Sequence, residues 1–148
     1  MGKGRPSDHD QIVLVLDENL AGQELRNDLV AVAKANGARV ELLTEHVPRG
    51  TIDEVWLEIA AKQRWAVITC DARIKRRPAE RQILLRSGVC VFILRNELNG
   101  DEIRDAPVTA IPGICRRYRQ LVPPVICHVS RHGDVAVVEG KRRSGIKR

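Results

Sequence analysis

The chain has 148 residues, 43% of them hydrophobic, and a formal charge of +6 from 25 basic and 19 acidic side chains. That length suits one domain around one core. No run of about 18 apolar residues is present to span a membrane, and the opening MGKGRPSDHD lacks the apolar centre of a secretory leader, so a soluble cytoplasmic protein is expected. Lys141, Arg142, Arg143, Lys147 and Arg148 supply five of the positive charges, which leaves residues 1–140 close to neutral. A protein coated all over with positive charge is therefore excluded. Residues 140–148 read as a basic, disordered tail and residues 1–10 as a flexible start, with the folded domain over 11–139. Cys70, Cys90, Cys115 and Cys127 are spaced too widely for a Cys-x-x-Cys pair and sit in or beside apolar runs, as reduced core residues do.

In chain order, QIVLVL (11–16) is a short run rich in β-branched residues, as in a strand buried on both faces. LAGQELRNDLVAVAKANG then places Leu25, Leu29 and Val32 at helical spacing and stops at Gly37, before a second strand ARVELL (38–43). TIDEVWLEIAAKQR (51–64) reads as a helix with Trp56, Ile59 and Ala60 on its apolar face and a capping box formed by Thr51 and Glu54. WAVITC (65–70) is the third strand. Pro78 can open the next helix, which ends at Gly88 ahead of the fourth strand, VCVFIL (89–94). The alternation predicts an α/β domain with a mostly parallel central sheet, right-handed crossovers and helices on both faces. Further on, Pro107 and Pro112 are expected to interrupt any helix, GICRRYRQL forms a short one, and VICHVS, RHGD and VAVVE form a closing hairpin.

In a parallel sheet the residue after each strand lies at the carboxyl edge, where open α/β folds bind ligands. Asp17 follows the first strand and Asp71 the third, and Asp53 opens the helix that runs back toward the third strand. Any one of these could merely cap a loop or favour a helix dipole. Three carboxylates converging on one edge repel each other and raise one another's pKa unless a cation lies between them. With oxygen ligands and no nearby His or Cys pattern, that cation is Mg²⁺ or Mn²⁺, which keeps waters and completes its shell from substrate phosphate.

The order VLDENL, TIDEVWLEIAAKQRWAVITCDARI, SGVCVFIL resembles a PIN-like nuclease domain, of the short subgroup related to VapC-type toxins, over roughly residues 11–95. The resemblance implies a three-layer domain with sheet order 3-2-1-4-5 and a metal-dependent endoribonuclease that hydrolyses RNA. Its catalytic and metal-binding residues would be Asp17, Asp53 and Asp71, with Thr69 in the supporting position of the hydrophobic-Ile-Thr-x-Asp turn. It also implies RNA as substrate, a small antitoxin protein as partner, and a homodimer. Fuller members add a Glu on a middle helix, whereas here the same interval offers only Glu41 and Glu45, on a strand end and a loop, and Glu18 beside Asp17 as a further metal ligand. Beside Asp71 the basic arm Arg73, Lys75, Arg76 and Arg77 is placed to hold the RNA backbone.

Two other functions share parts of this pattern. A non-catalytic PIN-like module would keep the fold and bind RNA or protein without cutting. A receiver-type phosphoacceptor domain would use Asp17, Glu18 and Asp71, but needs a Lys after the fourth strand, where Arg95 stands.

Overall fold

The computed structural model describes residues 11–17, 23–70, 78–94 and 100–142. Strand β1 (Ile12–Leu16) leads to α1 (Gln23–Ala35) and β2 (Ala38–Leu42). A 3₁₀ turn (Leu43–Glu45) and a loop then reach α2 (Asp53–Gln63) and β3 (Ala66–Thr69). After α3 (Pro78–Ser87), β4 (Cys90–Leu94) and α4 (Gly100–Gln120) come β5 (Leu121–Val129) and β6 (Val135–Arg142).

These strands form one six-stranded sheet, ordered β2-β1-β3-β4-β5-β6. Neighbours from β2 to β5 pair in parallel, and β6 closes the sheet as an antiparallel hairpin with β5. The α/β class, the mostly parallel sheet and the hairpin agree with the sequence reading. The order 3-2-1-4-5 does not: β3 lies between β1 and β4 rather than at the edge beyond β2. The physical reason is burial. All four residues of β3 are buried, which suits a strand flanked on both sides, whereas β2 carries exposed Arg39 and half-buried Glu41 and occupies the edge.

Strand alternation divides the apolar residues between two cores. Ile12, Leu14, Leu16, Ala66, Ile68, Phe92 and Leu94 face the layer of α1 and α4, while Val15, Val67, Val91 and Ile93 face the layer of α2 and α3. Because α1 and α4 share a face while β1-to-β2 and β4-to-β5 step in opposite directions across the sheet, the β4-α4-β5 connection has the hand opposite to the other three. Two helices per face is what the sheet requires. With α4 on the other side, α1 alone would have to cover a whole face. Among the described residues, no helix is long and apolar enough to cross a membrane.

Three local expectations are corrected. Helix α4 runs unbroken from Gly100 to Gln120 through both Pro107 and Pro112, since burying Ala106, Ala110, Ile111, Ile114 and Cys115 against the sheet outweighs the two lost backbone donors. The N-cap of α2 is Ile52 and no side chain caps it, because the Thr51 hydroxyl donates to Pro48 O instead of forming the capping box with Glu54. Strand β6 extends to Arg142, so residues 140–142 are part of the sheet, and only 143–148 of the tail lie outside the described residues.

Pro112 is exposed, so its cost is not offset by packing of its own ring. Pro112→Ala should stabilise the protein by about 2 kcal/mol, the helix propensity gain of ~3 less the ~1 lost by freeing the unfolded chain, as measured by urea unfolding. A variant no more stable than the parent would mean that α4 does not continue through that position.

Candidate active site at the carboxyl edge

Strands β1 and β3 are neighbours in parallel register, Leu16 opposite Ile68. The ladder runs one residue further, with Asp17 N–H donating to Ile68 O at 3.2 Å. This brings Asp17 beside Thr69. Val15 and Val67 face the layer of α2 and α3, so Asp17 and Thr69, each two residues on, face the same way. The Asp17 side chain is buried, with 7% of its surface exposed, and Thr69 is buried at 1%. Thr69 Oγ1 donates a hydrogen bond to Asp17 Oδ2. A buried carboxylate needs such a donor, since leaving it unsatisfied costs more than an ordinary hydrogen bond returns.

Asp53 is carried to the same edge by a matching of lengths. The eleven residues of α2 span about 16 Å and the five of β1 about 16 Å, and α2 returns antiparallel to β3 through Arg64 and Trp65. The first residue of α2 therefore stands level with the strand ends, on the face toward which Asp17 and Thr69 point. The Asp53 carboxylate is half-buried, and its Oδ1 accepts the Trp56 indole N–H at 3.0 Å. Reading Trp56 as core alone missed this contact. The signal was present in the spacing Asp-x-x-Trp at a helix start, where residues three apart are neighbours and a buried indole N–H needs an acceptor.

Asp71, Glu18 and the arm of Arg73, Lys75, Arg76 and Arg77 lie outside the described residues. Among the described residues, no group of three or more His, Cys, Asp or Glu is arranged to hold a metal ion.

The two acids offered for a fourth carboxylate are engaged elsewhere. Glu41 takes Arg39 Nε on Oε2 at 2.7 Å and His46 Nε2 on Oε1 at 2.5 Å, and the His46 ring lies 4.5 Å from the Trp65 ring. Glu45 pairs with Arg26 of α1 at 3.2 Å and accepts the Leu42 N–H at 2.9 Å. Burial alone would raise the Glu41 carboxyl, but the hydrogen bonds and charges of Arg39 and His46 hold it below the usual value. Cysteine chemistry is also set aside for two of the thiols. None of the four cysteines forms a disulfide; burial pushes Cys127 up to about 11 despite Arg117 and raises Cys115 despite Arg119, so both stay protonated at neutral pH.

A family model described as a PIN-like domain matches residues 12–96, more than half of the chain. No curated protein and no solved structure matches. The matched span contains β1 through β4, and with them Asp17, Asp53, Thr69 and Asp71.

Two measurements check the contacts described above. Thr69→Val keeps the shape but leaves a buried carboxylate oxygen without its hydroxyl donor, and should destabilise by about 1.5–3 kcal/mol in urea unfolding. Stability equal to the parent would show that the hydroxyl does not hold Asp17. For Glu41, a folded pKa below 4.5 means that its contribution is complete above the unfolded value and is lost as pH falls through the folded one. Glu41→Gln should therefore be less stable than the parent at pH 7, with the gap closing below pH 4.5; a gap constant from pH 7 to pH 3 contradicts the pairing.

Proposed function

Because the chain belongs to the PIN-like domain family, we propose that it is a metal-dependent endoribonuclease, with Asp17, Asp53 and Asp71 as catalytic carboxylates that hold Mg²⁺ or Mn²⁺. The observation that carries this reading is the buried Asp17 carboxylate fixed by Thr69 at the edge where β1 and β3 end side by side. In this sheet order β1 and β3 are also the point where the chain's direction of winding reverses, and open α/β sheets bind ligands outside that pair of strand ends.

The donor chemistry fits a hard divalent cation: carboxylate oxygens at Asp17 and Asp53, with Asp71 two residues beyond Thr69 in the chain. When bound, such an ion supplies Lewis acidity and a water of lowered pKa for attack on phosphorus. The protein's own part is positional. Thr69 holds the plane of the Asp17 carboxylate and Trp56 that of Asp53, and both are rigidly backed by the sheet and by α2. Each helix that joins two parallel strands starts at this edge, so the N-termini of α1, α2, α3 and α4 favour an anionic substrate there. Arg73, Lys75, Arg76 and Arg77 follow Asp71 directly and would hold the RNA backbone. As the toxin of a toxin–antitoxin pair, the chain would meet a small antitoxin protein and form a homodimer.

One observation favours a second reading. With Glu41 and Glu45 engaged by Arg39, His46 and Arg26, neither is available in this arrangement as a fourth carboxylate, as in a family member that binds RNA without cutting it. A cleavage assay separates the two. RNA should be cut in Mn²⁺ or Mg²⁺ and left intact in EDTA, and Asp17→Asn should lower the rate by more than the ~10–100-fold typical of losing an outer partner of a metal ligand. Cleavage that persists in EDTA, or in the Asp17 variant, rules out the carboxylate mechanism; RNA binding without any cleavage selects the second reading.

A further inference from the structure

We infer that the opposite, amino edge of the sheet is a second RNA-contacting surface, which grips the backbone of a strand flanking the cleavage point. This rests on RNA being the substrate, as proposed above. The observation behind it is a concentration of basic residues at that edge. Strands β1 to β5 start at the amino edge and α1 to α4 end there, while antiparallel β6 brings Lys141 and Arg142 opposite Val122 and Leu121. Among the described residues, the segments forming this edge, 11–12, 33–38, 61–66, 86–90, 116–124 and 140–142, contain nine Lys or Arg and no Asp or Glu. Lys34, Lys62, Arg64, Arg119, Lys141 and Arg142 are all exposed.

The plain alternative is that these cations only offset the helix C-termini. Each helix end carries about half a negative charge, so four ends amount to about two. One cation in the last turn of each helix meets that need, and Lys34, Lys62, Arg86 and Arg119 supply it. Arg64, Arg116, Arg117, Lys141 and Arg142 remain in excess. Arg86 also pairs with Glu58 at 3.8 Å, but both side chains are more than half exposed, where such a pair contributes little.

The edge also has a shaped feature. A cavity of about 350 Å³ opens between the starts of β3, β4 and β5, lined by Arg64, Trp65, Cys90, Tyr118 and Pro123 among others. Arg64 ends α2 in the left-handed conformation, φ 59°, and its carbonyl accepts the Tyr118 hydroxyl at 2.7 Å. A side chain in that conformation costs about 1 kcal/mol or more, which Gly would not. The exposed Arg64 guanidinium and the half-buried Tyr118 ring on the wall of this cavity suit a base stacked beside its phosphate, with the buried Trp65 behind them. The cavity is at the small end of the ~300–1,000 Å³ range of ligand sites. Because the five-residue strands separate the two edges by about 16 Å, only an RNA long enough to pass from one to the other would engage both.

The test is binding of a 20-nucleotide single-stranded RNA in EDTA, followed by fluorescence anisotropy over a range of salt. The combined variant Arg116→Gln, Lys141→Gln, Arg142→Gln should bind more weakly, with a salt slope flatter by roughly 2, about 0.7 for each lost phosphate contact. Arg64→Gln with Arg116→Gln, on separate elements, should flatten it by about 1.4 and serves if the first set disturbs the hairpin. An unchanged slope in both sets overturns the proposal and leaves the cations as helix-end compensation. Weakened binding to phosphatidylcholine–phosphatidylserine vesicles, with RNA binding unaltered, would also overturn it and assign the edge to a membrane surface. Since no metal is present, the result is independent of cleavage: a protein that binds RNA here but never cuts it would refute the nuclease reading alone.

Discussion

A carboxylate with 7% of its surface exposed is the constraint around which the candidate site is arranged. A polar group so placed must be met by hydrogen-bond partners, or its burial would destabilise the fold by about 1–3 kcal/mol or more. The sheet meets it by adjacency. With β1 beside β3, one backbone hydrogen bond continues the ladder to Asp17 and one side-chain hydrogen bond joins it to Thr69. In an order that placed β3 beyond β2, Thr69 would be a full strand further away and Asp17 would lack this partner. Strand order, burial and the candidate site are thus one arrangement seen at three scales.

The same topology gives the domain two unlike ends. Parallel strands joined by helices put every strand end and helix start at one edge, and every strand start and helix end at the other. Acids collect where helix dipoles are positive, as with Asp53 and Glu54 in the first turn of α2, and bases where they are negative, as with Lys34, Lys62 and Arg86. The surplus of bases at the amino edge goes beyond that pairing. A formal charge of +6 therefore says little about a molecule in which the described segments of the amino edge carry bases without acids, while Asp17, Asp53 and Glu54 stand at the other edge.

Much of this was legible from periodicity, and what was not has physical causes. The continuous apolar runs of β1, β3 and β4 and the helical spacing of α1 and α2 marked the elements, because burial on both faces leaves no room for polar residues. Strand order was misread although ARVELL, with Arg39 and Glu41, carries the charges of an edge strand and AVIT does not. Pro107 and Pro112 signalled a break that tertiary burial overrode, and Thr51 with Glu54 formed a capping pattern that the loop used otherwise. For the site, Asp17, Thr69 and Asp53 could be placed at one edge from their positions relative to strands. The Asp53–Trp56 contact was also present in the Asp-x-x-Trp spacing at a helix start, whereas the engagement of Glu41 and Glu45 by Arg39, His46 and Arg26 depended on strand-end and loop geometry that spacing does not encode.

The central claim is that the carboxylates at the end of β1 and the start of α2 share a divalent ion with Asp71. Anomalous scattering from crystals grown with Mn²⁺ tests it most directly, because it locates the ion without relying on activity. The account predicts a manganese peak with Asp17 as an oxygen ligand at about 2.1–2.2 Å and with Asp53 and Asp71 bound to it directly or through water. A manganese-saturated crystal with no peak at this edge, or with the ion held by other residues and not by Asp17, would contradict it.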